Sequence, residues 1–291
     1  MELYNYLLQH HRKSTAESYY RAITIYLKQN KKAKTASYHH VVDYLGEIRK
    51  QGKSPHTIKA ILNAIKKYYR YLNHTGQRKD HPCKYLNLKD KLHNDAQLQD
   101  LFTAEELEEL LGYEPKRFKN QLEIKNKTLL SLLIYQALTR SNINGLTVKD
   151  IYLEKGTIYI KSTSNTNSRT LKLKSNQVML FYKYIHEIRP MLLKLNDRDT
   201  AERLFIGRKG KDEAGDSIKH LLQGMQSKFP GRKLNPITIR QSVIANLLKQ
   251  KKDIRIVQSF AGHKNPSATE RYKQGDTEEL QHLINKYHPI K

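Results

Sequence analysis

The sequence contains almost no cysteine and no tryptophan. Cys83 is the one cysteine among 291 residues, which excludes an internal disulfide and a cysteine-rich zinc site. A single cysteine fits a reducing compartment such as the cytoplasm. No apolar run approaches the roughly 18 residues that a membrane helix needs, and the first residues lack an apolar signal core. We therefore expect no disulfide, no membrane span and no secretion signal.

Acidic residues are few relative to basic ones. The chain has 53 Lys and Arg against 28 Asp and Glu, a net charge of +25. Residues 1–100 carry a net charge of +11 and residues 101–291 carry +14, so both halves are basic. This distribution favours a protein that grips a polyanion from two sides, and a nucleic acid is the expected partner. The alternative is a soluble protein that is merely basic.

The first 90 residues are predicted to be helical, because their apolar residues recur every three to four positions. The motif Ser14–Glu17 predicts a capping box at the start of one helix. A second helix is expected over roughly residues 35–52. Ser54 and Pro55 predict the start of a third, since proline is tolerated at the first helical position.

The third helix has a basic flank. Its apolar stripe runs from Ile58 to Leu72, and basic side chains occupy its other faces. These are the candidate DNA-binding residues: Lys59, Lys66, Lys67 and Arg70. Residues 1–88 are therefore predicted to be a small helical DNA-binding domain.

A second domain is predicted over residues 101–291. The polar, weakly patterned residues 89–100 are interpreted as the linker before it. Thr103–Glu106 predicts another capping box at its first helix. Farther on, Thr277–Lys286 has the apolar spacing of a C-terminal helix, which could dock on a neighbouring protomer or pack on its own domain.

Within this domain the pattern changes to alternation. Thr157–Ile160 and Arg169–Leu173 predict two strands joined by a polar turn, and Asp150–Leu153 is a candidate third strand. Helical patterns resume after Ser175. The expected fold class is mainly α with a small antiparallel β-sheet, an α+β arrangement.

Four residues in the second domain are suited to phosphate chemistry. His263 follows Arg240 by 23 residues, and Tyr272 follows His263 by nine. Arg140 comes after an apolar helix, before a Leu-Thr…Asp-Ile segment. A phenol has a pKa near 10, so its attack on phosphorus needs strong neutralisation of the transition state. Two guanidinium groups can donate in pairs to phosphate oxygens, and Lys or His can protonate a leaving oxygen.

These segments resemble the active-site boxes of the tyrosine recombinases, the phage-integrase family. Arg140 matches the first box, Arg240 the second, Gly262-His263 the third, and Tyr272 the nucleophile. Lys161 ends a predicted strand where the family's hairpin lysine stands, with Lys172 and Lys174 as other candidates. The resemblance covers nearly the whole chain.

The chain departs from the family pattern at three positions. Ile237 and Gln241 stand where the second box usually has histidines, three residues before and one after Arg240. Ile143 stands where an acidic residue commonly follows the first arginine. By analogy with other oxyanion donors, losing the hydrogen bond of a histidine at position 237 would slow cleavage by roughly 10²–10³ without abolishing it.

The resemblance implies a site-specific recombinase that needs no cofactor or metal. Tyr272 would attack the scissile phosphate and form a 3′-phosphotyrosyl link, while Arg140, Arg240 and His263 stabilise the phosphate and Lys161 donates the proton. A helical core-binding domain and the catalytic domain would form a C-shaped clamp around duplex DNA. Four protomers would assemble on two DNA sites in the cytoplasm, associated with the nucleoid.

Several functions remain open at this point. The unusual second box favours integration or excision of a mobile element, and chromosome-dimer resolution is the alternative recombinase role. Ile237 and Ile143 also allow a non-catalytic DNA-binding protein of the same fold. A type IB topoisomerase would use the same chemistry without paired sites.

Overall fold

A computed structural model describes residues 2–90, 100–112, 120–194, 202–207 and 214–272. The chain divides into two compact units, Met1–Asn94 and Asp95–Lys291. Most of the expected linker at residues 89–100 lies outside the described residues, and so does the expected C-terminal helix at Thr277–Lys286.

The described part of the first unit is built from α-helices. They are α1 (Leu3–His10), α2 (Lys13–Gln29), α3 (Tyr38–Lys50) and α4 (Pro55–His74). The apolar faces of these helices form one core. Inside it the Tyr26 and Tyr69 hydroxyls lie 2.7 Å apart, and Tyr69 donates to the Ala33 carbonyl at 2.9 Å. The buried phenols are thus satisfied by each other and by the backbone.

One of the expected helix starts in this unit is confirmed and one is wrong. The Ser54 hydroxyl accepts the Thr57 N–H, and Pro55 is the first residue of α4, as predicted. Ser14, in contrast, lies inside α2 and caps nothing. The backbone is already extended at Arg12, whose carbonyl accepts the first helical N–H groups, so the helix begins before Ser14.

The basic flank of α4 is outside the core. Lys59 and Arg70 are exposed, whereas Lys66 and Lys67 are half-buried. Burial, and next the charge of Arg70, lower the pKa of Lys67. All four side chains therefore lie away from the buried stripe of the helix, as a surface for binding an anion requires.

The second unit combines helices with a small sheet. Its described α-helices are α5 (Ala104–Gly112), α6 (Asn120–Tyr135), α7 (Arg140–Asn144), α8 (Ser175–Lys183), α9 (Arg189–Lys194), α10 (Ala214–Met225), α11 (Pro236–Lys249), α12 (Ile254–Ala261) and α13 (Ser267–Glu270). A π-helical turn, Tyr184–Ile188, joins α8 to α9. The Thr103 capping box is confirmed, because Thr103 and Glu106 exchange hydrogen bonds of 2.9 and 3.2 Å.

The sheet has three antiparallel strands in chain order. They are β1 (Ile151–Tyr152), β2 (Thr157–Ile160) and β3 (Arg169–Lys172). Ile158 pairs with Ile151 on one side and with Leu171 on the other. The sheet and surrounding helices share one apolar core. The predicted fold class, mainly α with a small antiparallel sheet, is confirmed.

Among the described residues, no helix is both long enough and apolar enough to cross a lipid bilayer.

Candidate active site

Arg240 is the most constrained of the predicted site residues. It lies in the first turns of α11, which begins at Pro236 after the Asn235 cap. One terminal nitrogen of its guanidinium donates to the Ala137 carbonyl, and the other donates to the Ala261 carbonyl at 2.7 Å. These two carbonyls belong to the segments that carry Arg140 and His263. Arg240 thus joins all three predicted boxes.

Burial lowers the pKa of Arg240 to about 10, and the neighbouring Tyr272 partly opposes this shift. The guanidinium therefore stays charged at neutral pH. Among the described residues no carboxylate pairs with it. Two carbonyl dipoles orient the side chain without cancelling its charge, as an anion-binding arginine requires.

The first box is shaped by an early helix end. Helix α6 stops at Tyr135, before it reaches Arg140, and Ala137 takes the left-handed conformation with φ of 50°. This turn directs the Ala137 carbonyl at Arg240. Thr139 then caps α7, whose first residue is Arg140.

Three of the predicted residues share one pocket. A cavity of about 740 Å³ is lined by Arg140, Arg240 and Tyr272, together with Ile237 and Gln241 of the unusual second box. Other polar side chains on its wall are those of Thr139, Lys219, Gln223, Lys233 and Asn235. Ile237 is 69% exposed although it is aliphatic. The pocket therefore brings two guanidinium groups and a phenol into one space that is open to solvent.

His263 is held from several sides. Helix α12 ends at Ala261, and the next residue, Gly262, has a φ of 67° in the left-handed region and turns the chain towards the histidine. The ring Nδ1 lies 2.8 Å from the hydroxyl of Thr269, a fully buried residue. Burial, followed by Arg240 and Arg169, lowers the pKa of His263 to about 4. The imidazole is therefore neutral at pH 7. When the hydroxyl donates to Nδ1, the Nε2–H becomes the ring's donor.

The β2–β3 loop is attached to the same turn. The Asn167 N–H donates to the Gly262 carbonyl at 2.8 Å, and Thr166 forms a β-bridge with His263. Asn142 of the first box donates to the buried Thr166 hydroxyl at 3.1 Å. The loop therefore connects the first box to the third.

Lys161 is not among the residues that line the pocket. It follows β2, and its side chain is 54% exposed. Its ammonium lies 3.3 Å from Asp150, a buried carboxylate that also accepts the Thr147 N–H and hydroxyl. The assignment of Lys161 as proton donor stays a prediction.

Sequence reasoning missed three residues at this site. Asp216 on α10 forms a 3.1 Å ion pair with Arg140, although the expected acidic position is occupied by the buried Ile143. Thr269 contacts His263, and Arg169 at the start of β3 is buried. Of the three, only Arg169 could have been found from the sequence pattern, because strand alternation places it on the same face of the sheet as Leu171.

Within the described ranges, no group of three or more His, Cys, Asp or Glu side chains could hold a metal ion. The charges that the described residues bring to the pocket are side-chain cations.

Comparison with known proteins identifies the family. Residues 100–279 match the model of the phage integrase family, and residues 4–77 match the phage integrase N-terminal SAM-like domain. The chain belongs to the phage integrase family. It is a tyrosine recombinase, a DNA strand transferase of site-specific recombination, as the arrangement of its boxes indicated.

Similar proteins cover nearly all of the chain. The tyrosine recombinase XerD of Oceanobacillus iheyensis is 28% identical over 95% of this chain and 92% of the relative. The tyrosine recombinase XerC of Bacillus subtilis is 24% identical over 87% of this chain and 82% of the relative. Among solved structures, the Tn1549 transposon integrase in complex with a circular intermediate DNA has a TM-score of 0.67 at 18% identity, covering 96% and 98% of the two chains. That structural likeness supports the fold.

Proposed function

We propose that the protein cuts and rejoins DNA at specific sites through a 3′-phosphotyrosyl intermediate on Tyr272. The observation that carries the proposal is the position of Arg240. Its guanidinium is oriented by the Ala137 and Ala261 carbonyls and lines the same pocket as Arg140 and Tyr272. No carboxylate among the described residues forms an ion pair with it. Such a pocket suits a phosphodiester and the phenol that attacks it.

The proposed chemistry follows from the charges in the pocket. Attack by the Tyr272 oxygen adds a bond to phosphorus and raises the negative charge on the phosphoryl oxygens. Arg140 and Arg240 would neutralise that charge, and the Nε2–H of the uncharged His263 would donate to one of the same oxygens. The bond from phosphorus to the 5′ oxygen then breaks, and Lys161 would protonate the leaving oxygen. The phenol loses one proton and the 5′ oxygen gains one, so no net proton is consumed.

The first unit would supply part of the DNA grip. We propose residues 1–88 as the core-binding domain, residues 89–100 as the linker and residues 101–291 as the catalytic domain. Lys59, Lys66, Lys67 and Arg70 on α4 would contact phosphates. Four protomers would assemble on two DNA sites in the cytoplasm, associated with the nucleoid.

Integration or excision of a mobile element is the proposed biological role. The support is the second box, in which Ile237 and Gln241 replace both usual histidines. Chromosome-dimer resolution is the alternative, and the 28% identity to a XerD along nearly the whole chain is compatible with it. Two suicide substrates distinguish these roles: one from the DNA that flanks the gene, the other from the dimer-resolution site of the same genome.

A covalent adduct is the decisive test of the chemistry. A nicked suicide substrate should trap the wild-type protein on DNA, and Tyr272→Phe should bind the same DNA without forming the adduct, because only the attacking oxygen is lost. Tyr152→Phe is the matched control, since Tyr152 is an exposed tyrosine of β1 that is not among the pocket-lining residues.

Two results would contradict the proposal. Adduct formation by the Tyr272→Phe variant would show that another tyrosine is the nucleophile. A wild-type protein that binds both substrates and forms adduct with neither would support the non-catalytic alternative. Cleavage that needs neither a particular sequence nor a paired site would instead support a topoisomerase.

A further inference from the structure

Arg169 is a buried cation without a counter-charge. The residue is 9% exposed, and its Nη1 donates to the Asn167 carbonyl at 3.2 Å. Its Nε and Nη2 atoms are buried, and neither has a hydrogen-bond partner among the described residues. No described carboxylate forms an ion pair with it. A buried donor is normally satisfied, so two unsatisfied nitrogens on one charged group call for an explanation.

The charge of Arg169 persists in spite of its burial. Burial lowers the pKa of the guanidinium to about 10, and the positive charge of Arg240 adds to the shift. Arg169 is therefore still protonated at pH 7. Two uncompensated guanidinium groups, Arg169 and Arg240, lie close enough to repel each other. In the DNA-free protein this arrangement is unfavourable, and an arriving anion would relieve it.

Arg169 also lies directly against the third box. A methyl group at Gly262 would overlap the Arg169 Nη1 and would lie 2.9 Å from its Cζ. The Asn167 carbonyl that accepts from Arg169 would be 3.0 Å away from the same methyl. The guanidinium thus fills the space between the β2–β3 loop and the turn that leads to His263.

The unsatisfied nitrogens of Arg169 have no solvent-accessible surface, so a phosphate cannot reach them in this conformation. Any effect of the charge on the reaction must therefore act through space or through Gly262 and His263. The alternative is a purely structural role, in which the Arg169 side chain fills space in the core and its charge has no function.

We propose that Arg169 is a positioning residue of the cleavage reaction. Its guanidinium packs against the Gly262–His263 turn and supplies a fixed positive charge behind Arg240. The negative charge of the scissile phosphate compensates the charge of Arg169 when DNA binds. The compensation increases during attack, because the phosphoryl oxygens then gain negative charge. The inference rests on the proposed function, and it goes beyond the five residues that match the family boxes.

The two roles of Arg169 predict opposite effects on stability. If the guanidinium only fills space, Arg169→Met removes packing and lowers the melting temperature. If it is an uncompensated charge kept for the reaction, the neutral, similarly long Met relieves repulsion, and the melting temperature of the full chain stays equal or rises. Arg189→Met is the matched control, because Arg189 is equally buried but donates twice to the Arg203 carbonyl. This control should lower the melting temperature.

The same variants separate the roles in catalysis. In single-turnover adduct formation Arg169→Met should be slower by on the order of 10–100-fold, the effect of one unit charge several ångströms from a developing charge. Arg169→Lys should recover most of the rate, because it restores the charge. Folded Arg189→Met should cleave at the wild-type rate. A suicide substrate with an uncharged methylphosphonate at the scissile position should show a smaller effect of Arg169→Met.

A third measurement does not depend on cleavage. The charged groups that act on the His263 ring are Arg240 from α11, Arg169 from β3 and Arg271 after α13. Removing one positive charge favours protonation, so Arg169→Met should raise the pKa of His263, as measured by NMR titration of the ring. Arg189→Met should leave it unchanged.

These outcomes decide between the roles. A lower melting temperature for Arg169→Met with a wild-type cleavage rate would overturn the proposal, and so would a failure of Arg169→Lys to restore the rate. If the wild-type protein forms no adduct at all, the proposed function fails, and the melting and NMR measurements decide whether Arg169 is an uncompensated charge acting on His263. An unchanged His263 pKa together with a lower melting temperature would then reject it.

Discussion

Gly262 is the position at which a single methyl group should disturb the site most. Its φ of 67° lies in the left-handed region, where an L-residue is strained. The methyl of Gly262→Ala would overlap Nη1 of Arg169 and come within 3.0 Å of the Asn167 carbonyl. The backbone of the turn is fixed by the Asn167 N–H, which donates to the Gly262 carbonyl at 2.8 Å. The turn therefore has little freedom to move away.

The cost can be divided into two parts. The left-handed conformation costs a residue with a Cβ about 1–2 kcal/mol. Displacing the buried guanidinium of Arg169 adds about 1–3 kcal/mol, the usual range for overpacking. The expected loss of unfolding free energy for Gly262→Ala is thus about 2–5 kcal/mol, below the total stability of most domains.

A double-mutant cycle isolates the second part. In an Arg169→Ala background the overlapping atoms are gone, and only the backbone strain and the Asn167 carbonyl remain. Gly262→Ala should then cost about 1–3 kcal/mol less than in the wild-type background, a coupling typical of residues in contact.

Urea unfolding of the full chain, fitted with separate transitions for its two units, measures these costs. Hydrogen exchange of the Asn167 amide reports on the turn itself. Gly224→Ala is the control, because the methyl would meet no atom within 4 Å in the last turn of α10, where alanine is the better helix former. If the two substitutions at 169 and 262 are additive, the described contact is wrong.

Three further substitutions test the pocket. Thr269→Val should slow adduct formation by about tenfold and lower the unfolding free energy by about 1–3 kcal/mol, because His263 loses the partner at Nδ1; an unchanged single-turnover rate would contradict the contact. Asp216→Asn should tighten DNA binding by up to about fivefold at low salt and have no effect at high salt, because it frees Arg140 from an exposed ion pair; fluorescence anisotropy at several salt concentrations would measure this. Ile237→His should change the cleavage rate measurably, since position 237 lines the same pocket as Arg240: a faster reaction means that a donor was missing, and a slower one means that another residue already supplies it. A rate equal to that of the wild type would show that position 237 does not reach the phosphate.

The parts of the fold that depend on local sequence were predictable. Ser54 and Thr103 begin helices as expected, because a hydroxyl cap acts on N–H groups two or three residues away. The alternation at Thr157–Ile160 predicted a strand, and β2 has these bounds. The predicted helix start at Ser14 is wrong because the extended residue before the helix is Arg12, and no local motif indicated this. Helix α1 lies in the part of the chain that was predicted to be helical, but its bounds were not predicted.

The site itself was predictable only in part. The residue types and the spacing of the motifs identified Arg140, Arg240 and Tyr272 as site residues. In the structure these three side chains line one pocket. Their chemical roles stay predictions. The contacts that orient the site join residues far apart in the chain. Asp216 reaches Arg140 across 76 positions, and neither residue carries a local sign of the other.

The buried and exposed cations of the site are held in different ways, and the difference has a physical reason. Arg240 and Arg169 are bound by carbonyl oxygens, whereas the half-exposed Arg140 and Lys161 are paired with carboxylates. A carbonyl orients a guanidinium and leaves its net charge intact, so a buried cation held in this way keeps its full attraction for a phosphate. The Arg140–Asp216 pair is exposed on both sides, and such a pair is worth at most about 1 kcal/mol, so phosphate can replace the carboxylate there at small cost. Both arrangements leave positive charge available to DNA. Arg240 would supply the fixed part of the phosphate grip, with the charge of Arg169 behind it, and Arg140 would supply a part that exchanges partners when the substrate arrives.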